Sequence, residues 1–215
     1  IVDLDLRRRT LSKQMGQRDN RNGVSGYISG TIANLNDIVF QSGLHENLDI
    51  IFAGLQPPNP AEMLLSEKFD EFMADLRKRY DYVVIDCPPS LGLLTLNALA
   101  AADFVLIPVQ CEFYALEGLA QLMQTVDMVR DNLNSRLQLL GLLMTMYDGR
   151  TNLSIQVTEE VKKYFSGKVF HTIIPRNVRL GEAPSHGEPI TIYDPHSRGA
   201  EVYTKLAKEV IRRVG

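Results

Sequence analysis

Few cysteines, no basic excess and no long apolar run set the first limits on this 215-residue chain. Cys87 and Cys111 are its two cysteines, and they form no CxxC pair, so zinc-knuckle and dithiol redox chemistry are excluded. So low a cysteine content fits a reduced, cytoplasmic setting. No apolar stretch reaches the roughly 18 residues that mark a membrane-spanning helix. Asp103 interrupts the run from Ala98 to Val109, and Gln138 interrupts the one near Leu140. The net charge is −3, so any contact with nucleic acid must come from local basic patches rather than from the chain as a whole. There is no internal repeat and no low-complexity linker, which leaves one domain over residues 1–215 as the simple reading. The chain opens Ile1-Val2-Asp3, with neither methionine nor a charged leader, and this reads as a strand entered partway through a domain. A composition of 45% hydrophobic and 23% charged residues excludes disorder and allows a sizeable core.

The most informative stretch is Tyr80 to Ser90, YDYVVIDCPPS. Val83, Val84 and Ile85 run into Asp86, and Pro88 and Pro89 then forbid further pairing, so the segment predicts a buried strand tipped by a carboxylate. Ligands of α/β sheets bind at the carboxyl ends of parallel strands, where such an acid can hold Mg²⁺ beside a nucleotide's phosphates. A second acidic strand end, Asp3 and Asp5, leads into Leu6-Arg7-Arg8-Arg9. Leu48–Ala53, Phe104–Val109, Leu137–Met146 and Val169–Ile174 predict further strands. Helices are predicted after Asn59 or Ser66, over 92–102, 116–133 and 152–165, and over 197–214. The inward positions are Phe69, Phe72, Met73, Leu76 and Tyr80 in the first of these, Leu119, Met123, Val126 and Leu133 in the third, and Tyr203, Leu206, Ala207, Val210 and Val214 in the last. Asn20 to Ser25, Gly54 to Pro60 and Arg176 to Pro189 predict loops. Strands alternating with helices argue for an α/β fold with a doubly wound, mostly parallel sheet and right-handed crossovers.

Phosphoryl chemistry also wants a Gly-rich loop whose N–H groups hold phosphate, and a lysine to neutralise charge. The 215 residues contain no GxxxxGK followed by Ser or Thr. Such a loop would normally follow the strand before the one that opens this chain, so that first strand and its loop are expected to be missing. Residues 1–215 alone are expected to hydrolyse little ATP, because acids without a phosphate cradle repel a triphosphate. Open strand edges predict poor stability or self-association.

From Tyr80 onward the text DYVVIDCPPSLGLLTLNALAAAD, LIPVQCEFYALEGLAQL, IPRNVRLGEAPSHGEPI and YDPHSRGAEVYTKLAKEV resembles the ParA/Soj-type chromosome- and plasmid-partitioning ATPases. The resemblance implies an ATPase that dimerises on ATP, binds nonspecific DNA and is stimulated by a ParB-type centromere-binding protein, in the cytoplasm on the nucleoid. It implies ATP and Mg²⁺ as cofactors, and a P-loop NTPase fold of the deviant-Walker, MinD/ParA-like type that here lacks its first strand and P-loop. Asp86 becomes the Walker B acid near Mg²⁺, Asp5 the acid that orients the attacking group and faces the metal, and Asp3 a supporting acid at the nucleotide. Pro175, Asn177, Val178, Ala183 and Pro184 would lie against the adenine, with Gly181 where the family usually has serine. Arg150 and Arg179 match the DNA-contacting positions, with Lys162, Lys163 and Lys168 as possible additions.

Residues 1 to about 86 resemble instead the cytoplasmic domain of bacterial exopolysaccharide tyrosine kinases, through Asp3-x-Asp5-x-Arg7 and PPNPAEMLLSEKF. The resemblance switches at the shared strand Asp81–Asp86, as a hybrid would. A kinase would work at the cytoplasmic face of the inner membrane, but the end IRRVG carries no tyrosine-rich tail, so partition is preferred. A nucleotide-free DNA- or protein-binding module is the third reading. His171, His186 and His196 show no metal spacing and read as loop or surface residues. Tyr27, Tyr80, Tyr82, Tyr114 and Tyr147 read mostly as core.

Overall fold

The computed structural model describes residues 1–8, 10–17, 21–88 and 90–215. Arg9 of the basic turn, Asn20 of the first loop and the strand-ending Pro89 lie outside the described residues. The chain divides into two compact units, Ile1–Ala101 and Ala102–Gly215.

In the first unit, β1 (Val2–Asp3) pairs in parallel with β4 (Ile85–Asp86), with Val2 opposite Ile85 and Asp3 opposite Asp86. On its other side Val2 bridges Ile51, and the Asp3 N–H donates to the Ile51 carbonyl at 2.9 Å. A small antiparallel pair, β2 (Phe40–Gln41) with β3 (Asp49–Ile50), stands apart. Short helices α1 (Thr10–Gln14), α2 (Val24–Ile28) and α3 (Pro60–Met63) precede α4 (Glu67–Arg79). Ser66 caps α4 by accepting the Phe69 N–H, whereas Asn59 makes no side-chain cap. Phe69, Phe72, Met73 and Leu76 are buried on one face of α4, as their spacing predicts. They pack with Leu4, Leu6, Tyr27 and Ile38 in a single apolar cluster. Helix α5 (Leu93–Ala101) closes the unit.

Two strands are shorter than their apolar runs suggest. The run from Tyr80 predicts a buried strand, yet Tyr82 and Val84 are exposed and only Ile85–Asp86 is laddered. Among the described residues this strand is hydrogen-bonded on one side only, to β1, so its outer flank stays open and the ladder ends early. Likewise only Asp49 and Ile50 of 48–53 pair as a strand, before the proline-rich turn.

In the second unit, β5 (Phe104–Gln110) runs parallel to β6 (Gln138–Thr145), with a register shift between Val105 and Leu106. Helix α6 (Ala115–Asn132) connects them. It buries Leu119, Val126 and Val129, while Leu133 lies past its end and is exposed. Helix α7 (Asn152–Tyr164) is capped by Thr151, which accepts the Ser154 N–H. After it Val169 bridges Leu142 in parallel, and Pro175 bridges Tyr147. No full strand forms over 169–174, because the N–H groups of His171 and Thr172 donate to the Glu209 carboxylate rather than to a neighbouring strand.

Two short helices, α8 (Val178–Glu182) and α9 (Ile190–Tyr193), lead to α10 (Arg198–Val214), capped by Ser197. The inward face of α10 differs from the expected one. Val202 and Glu209 are buried, Leu206 and Val210 pack partly buried, and Tyr203 and Ala207 face solvent. The reason is the buried ion pair of Glu209 with Arg213 at 2.9 Å, which turns that face toward the 169–172 backbone. Tyr114 is likewise exposed rather than core.

Candidate functional site

Parallel pairing of β1 with β4 brings both acidic strand ends to one edge of the first unit. The Leu4 N–H donates to the Asp86 carbonyl at 2.9 Å, so the two strands leave the ladder together at their carboxyl ends. Asp3 is 1% exposed, with one carboxylate oxygen accepting the Asp5 N–H at 2.9 Å. Its other oxygen, Oδ2, is buried without a hydrogen bond of normal geometry among the described residues. Burial raises the Asp3 carboxyl to about 6, the N–H groups of Asp5 and Ala53 draw it down, and the charges of Asp86 and Asp5 push it up. Asp86 is more open. Partial burial raises its pKa first, the Asp5 charge adds to this, and the Cys87 N–H opposes it. Asp5 is partly buried and accepts the Arg7 N–H at 3.4 Å.

Three carboxylates that repel one another and an orphaned buried oxygen make this edge short of positive charge, which is the condition a divalent cation relieves. Among the described residues no group of three or more His, Cys, Asp or Glu side chains is arranged to hold a metal ion by itself. Asp5 and Asp86 nevertheless suit Mg²⁺, which typically takes one or two carboxylates and completes its shell with phosphate oxygens and water. Cys87, next in the chain, is pushed up to about 11 by burial and by the Asp86 charge, so it is an inert thiol here.

The remaining candidates lie in the second unit. Arg150 and the 175–184 segment lie at and beyond the carboxyl end of β6. Lys168 instead lies beside Leu142, inside β6, and Lys162 and Lys163 are in the last turn of α7, so the lysines are not brought to that end. Met146 adopts a left-handed backbone (φ 53°) that redirects the chain after β6. The Tyr147 N–H donates to the Ile174 carbonyl and the Arg176 N–H to the Tyr147 carbonyl, which ties the 146–150 loop to the 174–176 segment. Arg150 is 89% exposed and grips Asp148 with two bonds, Nε to Oδ1 at 2.9 Å and Nη2 to Oδ2 at 2.8 Å. Hydrogen bonds from the Arg150 side chain and N–H hold the Asp148 carboxyl at about 2, with the Arg176 charge adding to the effect. Arg179 pairs with Glu182 at 2.9 Å and lies 3.6 Å from Asp194.

Asn177 caps α8 by accepting the Arg179 N–H at 2.8 Å. Val178 and Pro184 are exposed, while Ala183 is buried against Ile190 and Ala200. Lys162, Lys163, Lys168, His171, His186 and His196 are all exposed. Sequence reasoning missed the carboxylate partners of both arginines. The Asp-x-Arg spacing of Asp148 and Arg150 was the available signal, since an Asp side chain accepts the N–H two residues on.

Strand-end acids on adjacent parallel strands of an α/β fold suit the class of MinD/ParA-like P-loop NTPases. Solved structures agree. The septum site-determining protein MinD of Pyrococcus horikoshii, complexed with Mg-ADP, matches with a TM-score of 0.81 and 25% identity, over 100% of this chain and 83% of that one. Cobyrinic acid a,c-diamide synthase of Mycobacterium smegmatis, with bound ADP and magnesium, matches with a TM-score of 0.78 and 31% identity, over 98% and 80%. An AAA-domain family model matches residues 1–139. The sporulation initiation inhibitor protein Soj of Bacillus subtilis is 59% identical over 77% of this chain and 67% of its own length. The chromosome partitioning protein ParA of Myxococcus xanthus is 48% identical over 96% and 78%. The chain belongs to the ParA/Soj family of chromosome-partitioning ATPases. Likeness to ParA thus runs through the first 86 residues as well, and the kinase resemblance there finds no support. No helix among the described residues is long and apolar enough to cross a membrane.

Proposed function

We propose that this chain is the working part of a partition switch that binds ATP with Mg²⁺, dimerises on the nucleotide, holds nonspecific DNA and answers to a ParB-type protein on the nucleoid. The observation that carries the reading is the Asp3–Asp86 register, which supports Asp5 and Asp86 as one acidic edge. Asp86 and Asp5 would hold the metal, which supplies charge neutralisation to the phosphates. Asp5 also accepts a hydrogen bond from the attacking water and orients it. Asp3, through its bond to the Asp5 N–H, keeps that acid in place. Exposed Val178 and Pro184 and the side-chain amide of Asn177 serve the adenine side, Pro175 anchors that segment and Ala183 supports it from beneath. Arg150 and Arg179 meet the DNA backbone, because nonspecific binding is phosphate neutralisation.

The test is turnover. Residues 1–215, which contain no GxxxxGK loop followed by Ser or Thr, should show negligible ATP hydrolysis; placed behind the phosphate-loop strand-and-loop segment of a relative, they should hydrolyse ATP. In that protein Asp5→Asn and Asp86→Asn each lower the rate at least 100-fold, as a residue acting in phosphoryl transfer should. Wild-type turnover by Asp86→Asn would reject the site. Arg150→Ala and Arg179→Ala each weaken DNA binding and reduce the salt slope by about 1.

A further inference from the structure

The two arginines assigned to DNA are not free cations. Arg150 presents the side of its guanidinium to Asp148 as a parallel two-bond fork, the arrangement it would offer a phosphate. The carboxylate and a DNA phosphate therefore compete for the same donors. The two partners differ in freedom. Asp148 sits on backbone held by the Tyr147 bonds to the 174–176 segment, and its own N–H donates to the Ser154 hydroxyl at 3.3 Å. Its side chain is 20% exposed, against 89% for Arg150. The acid is the fixed partner, and the arginine is the one able to swing away.

We propose that Asp148 is an intramolecular competitor of DNA phosphate for Arg150, an autoinhibitory contact that sets how tightly the chain holds DNA. The proposal rests on the DNA-binding role of Arg150 given above. Exposed ion pairs are weak, so DNA can displace the carboxylate at modest cost. Once displaced, the bare Asp148 carboxylate stands beside the phosphates and attracts a cation. Part of the counterion release that drives DNA binding is thereby cancelled. Arg179 meets the same kind of opposition from Glu182 and Asp194. Removing the Asp148 charge while keeping its shape should raise DNA affinity about two- to fivefold, the range equivalent to an exposed pair, and should steepen the salt dependence.

Asp148→Asn suits this purpose, because its amide oxygen can still accept the Arg150 N–H, as Asp148 Oδ1 does at 3.1 Å. Binding of a mixed-sequence duplex is measured by fluorescence anisotropy at several salt concentrations, with ATP and Mg²⁺, for the protein completed with a relative's phosphate-loop segment and for its Asp148→Asn, Arg150→Ala and double variants. Circular dichroism checks each fold, and Asp148→Ser replaces Asp148→Asn if the latter does not fold. The expected result is tighter binding by Asp148→Asn, weaker binding by Arg150→Ala, and no gain from Asp148→Asn once Arg150 is gone. If Arg150→Ala weakens binding but Asp148→Asn does not tighten it, the competitor is rejected and the DNA contact stands. The same gain in both backgrounds marks a general charge effect and also rejects the competitor. Unchanged binding by Arg150→Ala, or no binding by any variant, removes the DNA role of Arg150 and the proposal with it.

Discussion

Glu209 offers the sharpest test of how the second unit is held together. Its carboxylate is almost fully buried and accepts the N–H groups of His171 at 2.8 Å and Thr172 at 2.9 Å, with Arg213 at 2.9 Å as counter-charge. Arg213 also donates to the carbonyls of Leu140 and Val169 and stacks on the Phe170 ring at 4.0 Å. Burial pushes the Glu209 carboxyl up, but the His171 and Thr172 bonds and Arg213 together outweigh it and leave the pKa at about 2, against an ordinary 4.5. At about 1.4 kcal/mol per tenfold, that difference corresponds to at most about 3 kcal/mol of stability. The contribution is complete above pH 4.5 and is lost as pH falls through about 2.

Glu209→Gln imitates the protonated form. It should lower the urea-unfolding free energy by about 2–3 kcal/mol at pH 7. The gap between the two proteins should persist down to about pH 5 and narrow steadily toward pH 2, because the unaltered protein loses there what the variant never had. Equal stability at pH 7, or a gap that does not change with pH, would refute the assignment of this carboxylate as a buried clasp.

Other perturbations probe neighbouring features. Gly141→Ala would place a Cβ 2.6 Å from the Lys168 carbonyl oxygen and 2.7 Å from Arg213 Nη1, at a φ of 156°. It should cost about 2 kcal/mol or more in urea unfolding, because backbone cannot give way as a flexible side chain can. Ser197→Ala removes the side chain that accepts the Ala200 N–H at the start of α10 and should cost about 1 kcal/mol, read as a lower Tm. Phe72→Ala opens a void between Tyr27 and Phe69 in the first unit and should cost about 3–5 kcal/mol; a loss under about 1 kcal/mol would show that this cluster is not tightly packed.

Local order decided much that was readable from sequence. The helical spacing of Phe69, Phe72, Met73 and Leu76 stated which face of α4 is buried, and Ser66 announced the start of that helix, because caps and periodicity act over a few residues. Asp86 after an apolar run, and Asp3 and Asp5 before a basic turn, marked the acidic strand ends for the same reason. Pairing was beyond such signals. That Asp3 lies opposite Asp86, 83 positions away, follows from strand register, which is set by the neighbouring chain and not by the residues themselves. The inward face of α10 was misjudged because apolar periodicity favours Tyr203 and Ala207, whereas the buried Glu209–Arg213 clasp turns a charged face inward. The residues of this chain thus determined its α/β elements, its family resemblance and its candidate acids. Tertiary structure alone decided that Asp3 lies opposite Asp86 and that the 169–172 backbone is satisfied by a distant glutamate, since register and long-range partners are properties of the packed chain.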